Sequence, residues 1–384
     1  NALQEENKTF LPAEMLRTYS AAKPVFGFYG KEENIAYGLF NTTHDYFPVM
    51  RQALIQWFDI HLKGINEAPE KTGKPVEPLP AEDLMVFSPG NRSPLVKGTY
   101  QYCREKSEAL SKSPGYTGTG KEQQRKALKK IFLMEDQVHL QTQLPSTARR
   151  QDEESILLRS EKGDCLPVTI FPGSNGNRQL VIFCRNRPDH VSADSIFNDY
   201  RKKGYQVIVP DLKGFGLLSS AEASTIDGKH APFHTLSRSE LWLGHSLMGE
   251  WLKEMELIVQ YCSRNYPSAV ITIDAEKEMA LTALTYASLG GKASACILRT
   301  CPLSFVVDRD ENIDFFNMSI LLPGVLTWGD VSKMAALSDN STLTFVNPVS
   351  ITGQRLDDSH KKNVEQEIYA MKKRWGSSKA VHFR

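Results

Sequence analysis

Apolar residues along this chain follow two periods, and the change between them divides it. From residue 151 onward, short β-branched runs such as L-V-I-F-C (180–184) and A-V-I-T-I (269–273) alternate with longer stretches in which apolar positions recur every three or four residues. The runs predict strands at 155–159, 166–171, 179–184, 205–209, 268–273, 293–298 and 342–347. The stretches predict helices at 192–203, 238–264, 277–288, 331–337 and 359–374. Short, wholly apolar strands interleaved with helices imply an α/β fold with a doubly wound, mostly parallel sheet covered on both faces. Such a sheet carries its chemistry at the carboxyl ends of its strands, after Cys184, Val209, Ile273, Leu298 or Val346. The first 66 residues show a different pattern: a helix near 12–22, a strand near 34–40, and an amphipathic helix at 47–63 that places Met50, Leu54, Trp57, Phe58 and Leu62 on one buried face. Between them, E-A-P-E-K-T-G-K-P-V-E-P-L-P (67–80) reads as an extended linker, and 81–150 holds little more than L-M-V-F and a polar, basic helical stretch.

Three segments follow: 1–66, a linker with a helical stretch at 67–150, and an α/β domain at 151–384. At 384 residues two units are the natural expectation. Forty-six Lys and Arg against 45 Asp and Glu leave a net charge of +1, so no global field favours nucleic acid or a membrane surface. No apolar run approaches the ~20 residues of a membrane span. The six cysteines form no C-x-x-C pair and several lie in strand runs, which predicts buried free thiols. The chain opens N-A-L-Q-E-E-N-K-T-F, without an initiator Met or a signal peptide, and reads as internal to a longer precursor.

Two motifs mislead. Gly244-His245-Ser246-Leu247-Met248-Gly249 approximates the nucleophile turn G-x-S-x-G, but Met248 stands where the second glycine belongs and no strand precedes it. It reads as part of one amphipathic helix over 238–264. Gly115 to Lys121 satisfies G-x-x-x-x-G-K, but Glu122 replaces the Ser or Thr that would bind Mg²⁺, and no buried strand supports the loop. Arg125, Lys126, Lys129 and Lys130 beyond it read as a solvated helix face.

The candidate with chemistry is 34–64, N-I-A-Y-G-L-F-N-T-T-H-D-Y-F-P-V-M-R-Q-A-L-I-Q-W-F-D-I-H-L-K-G. A predicted strand ends at Phe40, a short loop carries His44, and a helix follows with Pro48 in its first turn, where a missing N–H costs little. Strand, loop with His, and helix together form a unit that can present a general base. His61 lies on the helix and reads as a surface residue.

This segment resembles the closing part of bacterial α/β-hydrolases of the acetyl xylan esterase type. L-V-I-F-C-R, G-Y-Q-V-I-V-P-D-L-K-G-F-G, P-G-V-L-T-W-G-D-V and L-T-F-V-N-P-V resemble a second α/β-hydrolase domain in tandem members. The resemblance implies that residues 1–66 end a first hydrolase domain with His44 as its base, and that the nucleophile and acid lie elsewhere, on the same precursor or another chain. It also implies acetylated polysaccharide as substrate, no metal or cofactor, and export from the cell. In the second domain, V-I-T-I-D-A-E-K-E-M-A-L lays Lys277 on the nucleophile position, with Ala275 and Met279 in place of both glycines. His382 fills no base position, and Asp211 matches a structural acid. The resemblance therefore implies a degenerate, pseudo-hydrolase second domain, unable to form the strained turn without its glycines. The competing expectation is a non-catalytic module that binds carbohydrate or protein.

Overall fold

The computed structural model describes residues 11–43, 45–66, 77–88, 90–112, 120–133, 138–150, 153–185, 188–219, 233–309 and 314–384. The chain forms two compact units that divide between Val96 and Lys97.

The first unit contains helix α1 (Pro12–Phe28) and helix α2 (Pro48–Phe58), each with proline in its first turn. The end of α2 widens into a π-helical turn over Asp59–Lys63 and stops at Gly64, whose φ of 69° supplies the left-handed cap. Residues 34–40, expected as a strand, instead follow a short 3₁₀ turn at Glu32–Asn34 as extended chain. Within it only Phe40 makes a β-bridge, which is too little pairing to build the expected strand. None of the described residues from 11 to 96 is buried. The expected buried face of α2 is therefore open: Leu54, Phe58 and Leu62 are 46%, 49% and 76% exposed.

The second unit begins with α3 (Thr99–Lys112) and α4 (Lys121–Ile131). Nine strands follow: β1 (Leu140–Arg150), β2 (Glu153–Ser160), β3 (Cys165–Phe171), β4 (Gln179–Cys184), β5 (Gln206–Pro210), β6 (Val270–Glu276), β7 (Ala295–Arg299), β8 (Thr342–Val346) and β9 (Val381–Phe383). The remaining helices are α5 (Ser195–Lys202), α6 (His234–Trp242), α7 (Leu247–Asn265), α8 (Glu278–Ser288), α9 (Val325–Trp328), α10 (Val331–Leu337) and α11 (Asp358–Trp375). The strands make one sheet in the order β1-β2-β3-β5-β4-β6-β7-β8-β9. The β1–β2, β2–β3 and β3–β5 pairings are antiparallel and every other pairing is parallel. A doubly wound, mostly parallel sheet is thus what the alternating pattern produces.

Register explains the core. Ile208, Ile182, Ile273, Cys296, Leu343 and Val381 stand side by side across six strands, and none is more than 1% exposed. Each such burial is worth roughly 1.5–3 kcal/mol. Their alternates Val181, Phe183, Val207 and Val209 point to the other face and pack on Phe197 of α5. Alanines 280, 283 and 287 make α8 thin enough to sit fully buried against β6, β7, α7 and α10.

Three expectations change here. Residues 97–150, read as linker and helical stretch, are built into the second unit: Leu128 and Phe132 at the end of α4 are wholly buried. Their apolar signal is only a few residues long, and the packing that uses it is distant in sequence. Strand β1 escaped notice because L-Q-T-Q-L-P-S-T-A-R-R has only two large apolar residues and a proline; as an edge strand it tolerates Pro145. The single helix expected at 238–264 is two, broken where Gly244 takes φ 82° and Ser246 caps α7.

Candidate active site at the strand ends

The carboxyl edge of the sheet is where the fold places chemistry. The residues immediately following β4, β5, β6, β7, β8 and β9 are Arg185, Asp211, Lys277, Thr300, Asn347 and Arg384, and none is Ser, Cys or His.

Lys277 occupies a sharp strand-to-helix turn between β6 and α8, with φ 53° and ψ −123°. Its N–H donates to the Arg299 carbonyl at 2.9 Å, which holds the turn against the end of β7. A non-glycine residue rarely adopts such a backbone, and it costs on the order of 1–3 kcal/mol. The expectation that the missing glycines abolish the turn is therefore overturned: neighbours on both sides impose it on a lysine. Thr300 and Asn347 repeat the device, with φ 49° and 47° and N–H bonds of 2.9 Å to the Val346 and Arg384 carbonyls. The Lys277 ammonium lies 4.4 Å from the centre of the Phe315 ring and 3.5 Å from the Phe315 carbonyl. Beside it, the buried Glu278 carboxylate accepts the Asn317 N–H at 2.5 Å.

The strongest electrostatic feature lies three residues before the turn. Asp274, wholly buried, accepts from Arg185 Nη2 at 3.0 Å, from Arg299 Nε and Nη2 at 2.8 Å each, and from the Tyr200 hydroxyl at 2.7 Å. Arg185 also donates to the Cys184 and Asp274 carbonyls and lies 3.8 Å over the Phe183 ring. A buried carboxylate is tolerable only when paired and hydrogen-bonded, and here both oxygens are occupied. Burial, then the Asp274 charge, pushes the Tyr200 hydroxyl up. The sequence signal was present in Asp274 within an apolar strand and in two arginines at strand ends, Arg185 just after β4 in F-C-R and Arg299 closing β7 in I-L-R. Their convergence depends on β4, β6 and β7 being neighbours.

The other predicted residues fall as follows. His44, the expected base, lies outside the described residues. Around it, Asp45 Oδ1 accepts the Tyr46 N–H at 2.6 Å and Arg51 Nη1 donates to the Tyr46 carbonyl at 2.5 Å. His61 is not a free surface side chain: its ring packs on Trp57 with centroids 4.1 Å apart. Ser246 is a buried cap, accepting the Gly249 N–H and donating to the Phe132 carbonyl at 2.6 Å. Asp211 accepts the Leu217 N–H and fixes its own turn, as a structural acid should. His382 sits exposed within β9. Residues 115–119 of the G-x-x-x-x-G-K stretch lie outside the described residues. All six cysteines are free thiols, and Cys184, Cys262, Cys296 and Cys301 are buried. Among the described residues no group of three or more His, Cys, Asp or Glu side chains could hold a metal ion, and no helix is long and apolar enough to cross a membrane.

No family model matches the sequence, and no curated protein matches it. Solved structures do resemble it. A protein assigned as an acetyl xylan esterase from Bacteroides fragilis superposes with a TM-score of 0.55 at 11% identity, over 75% of this chain and 82% of that one. The chain has the α/β-hydrolase fold. An acetyl xylan esterase from Thermoanaerobacterium gives a TM-score of 0.40 at 11% identity, covering 72% of this chain and 90% of that one. A glucuronoyl esterase from Solibacter usitatus gives 0.44 at 10% identity, covering 72% and 94%. Identities this low speak for the fold alone. Within that fold, Lys277 lies on the turn between the central strand β6 and helix α8 behind it.

Proposed function

We propose that this chain is part of a carbohydrate esterase of the acetyl xylan esterase type, to which it contributes the general base His44 and a hydrolase-fold body without a catalytic set of its own. The observation that carries the second half is Lys277 at the position this reading gives the nucleophile, its ammonium engaged by Phe315. Support for the first half is the open apolar side of α2. Leu54, Phe58 and Leu62, on one side of the helix and its last turn, are all more than a third exposed, as one wall of a larger core would be. The upstream half of a first hydrolase domain, on the same precursor or another chain, supplies the opposite wall with the serine and the acid.

In this reading the serine oxygen attacks the acetyl carbonyl while His44 takes the hydroxyl proton. The sugar oxygen leaves with that proton as the acyl–serine bond forms. Water then attacks the acyl-enzyme, with His44 again accepting a proton and returning it to the serine, so acetate leaves and the enzyme is restored. No cofactor enters these steps.

The test is kcat/KM of the complete assembly on an acetylated xylooligosaccharide. His44→Ala should lower it by about 10²–10⁴-fold with little change in melting temperature, because general acid–base assistance is worth that much. His61→Ala, which loses only its contact with Trp57, should leave it within about twofold. Unchanged kinetics in His44→Ala would remove the esterase assignment.

A further inference from the structure

The motif P-D-L-K-G-F-G takes no part in the proposed chemistry, yet it is held with unusual thoroughness. The Lys213 N–H donates to both oxygens of Glu254, at 3.2 and 3.0 Å, and its carbonyl accepts Trp251 Nε1 at 2.8 Å. Both partners sit on α7, and Trp251 is wholly buried. Lys213 is thus clamped through both of its backbone polar groups, and its side chain extends from a fixed point. It forms one wall of a cavity of about 390 Å³, within the ~300–1,000 Å³ range of small-molecule sites. The opposite walls come from the β2–β3 hairpin, the end of α6 and the first turns of α7.

Charge around this cavity is abundant but balanced. Three ammonium groups, of Lys162, Lys213 and Lys253, face three carboxylates, of Asp164, Glu240 and Glu250. Much of this charge is already paired. Lys213 Nζ lies 2.5 Å from Glu240, and Lys253 Nζ 2.7 Å from Glu250. His245 Nδ1 stands 3.7 Å from the same Glu250 oxygen. An ionic ligand would have to compete with these pairs. The ammonium groups nonetheless keep N–H donors, and the carboxylates keep lone pairs, beyond those the pairs consume. Leu133, Val138 and Leu243 complete the lining with apolar surface. Leu243 is 72% exposed, although it is a large apolar side chain.

Donors and acceptors intermixed, cancelling charge and apolar patches suit a polar ligand without net charge, and the ion pairs already formed favour one without charged groups of its own. We propose that this cavity binds a short, neutral saccharide, whose hydroxyls donate to Glu240 and Glu250 and accept from Lys213 and Lys253 while its C–H face lies on Leu243. This goes beyond the function proposed above, which gives the second unit no ligand. It does not depend on His44, so the two can fail separately.

Calorimetric titration of the full chain with xylobiose, and with maltose as a second neutral saccharide, tests it. At least one should bind with millimolar affinity. Glu250→Gln should weaken that binding by about tenfold or more, the worth of a hydrogen bond to a charged group. Leu243→Glu, at an exposed position that the fold does not need, should abolish it without moving the melting temperature. Leu321→Glu, also at an exposed position but outside the cavity, should bind like wild type. Absence of heat for both saccharides at about 50 mM would overturn the proposal. Binding untouched by both cavity variants, or dialanine bound in preference to either saccharide, would overturn it as well; the last result would mark a site for zwitterions.

Discussion

Two side chains show how a single residue's role is set by its surroundings. Lys277 sits on a strained strand-to-helix turn that its neighbours impose, and in the proposed reading that turn carries no nucleophile. Restoring the hydroxyl alone should therefore achieve nothing. Lys277→Ser, assayed with p-nitrophenyl acetate in the isolated chain, should remain at the buffer rate, because a serine needs a base and an oriented acid. A rate above buffer that a serine-directed inhibitor abolishes would refute this. Glu254 illustrates the electrostatic side. Burial, then the carboxylates of Glu250 and Asp164, push it up to about 8 despite the Lys213 N–H and ammonium. The folded chain then holds a proton that the unfolded chain loses near the ordinary value of 4.5. Its contribution is intact below about pH 4.5 and is lost as pH rises through about 8. Glu254→Gln should match wild type near pH 5 and be more stable near pH 9 by roughly 1–2 kcal/mol, discounting the full linkage for residual solvent access. Melting curves at the two pH values check it, and an equal shift at both would count against it.

Between elements, the second unit is tied together by polar groups placed at helix ends. Arg125 on α4, expected on a solvated face with Lys126, Lys129 and Lys130, is instead 12% exposed. It donates to the last carbonyls of two helices, Ser288 at 3.0 Å and Leu337 at 3.0 Å, and pairs with Asp339. A guanidinium there meets the negative ends of α8 and α10 at once. Although burial opposes it, the Lys121 ammonium and Arg125 hold the Asp339 carboxyl below its usual range. Arg125→Met keeps the volume but strands these acceptors and should cost about 3 kcal/mol. Urea denaturation gives the number, and a loss within about 0.5 kcal/mol, the range of an ordinary surface site, would mean the contacts are incidental.

At the scale of the molecule, the two units differ in kind. Every residue of the hydrophobic core clusters belongs to residues 97–384, and no described residue from 11 to 96 is buried. Residues 97–384 expressed alone should unfold in a single cooperative transition. Residues 1–96 alone should show none, because no described residue there is fully buried. Calorimetry of the two fragments measures this, and a cooperative transition in the smaller one would show a core that the exposures do not reveal.

What the sequence determined by itself was whatever depends on neighbours along the chain. Seven of the nine strands were legible as apolar runs with turn residues between them, and so was the parallel sheet they form. The strand-to-helix turn at Lys277 was legible because V-I-T-I-D stops where an alanine-rich helix begins. The open face of α2, the break at Gly244 and the helix-capping role of Arg125 were not. Each is decided by what lies against the residue in space, and periodicity records only that a face is apolar or charged, not whether anything covers it. The Asp274 network is the sharpest case. Asp274, Arg185, Arg299 and Tyr200 come from four elements, and only the strand order β4-β6-β7 makes a buried carboxylate affordable by bringing two guanidinium groups to it.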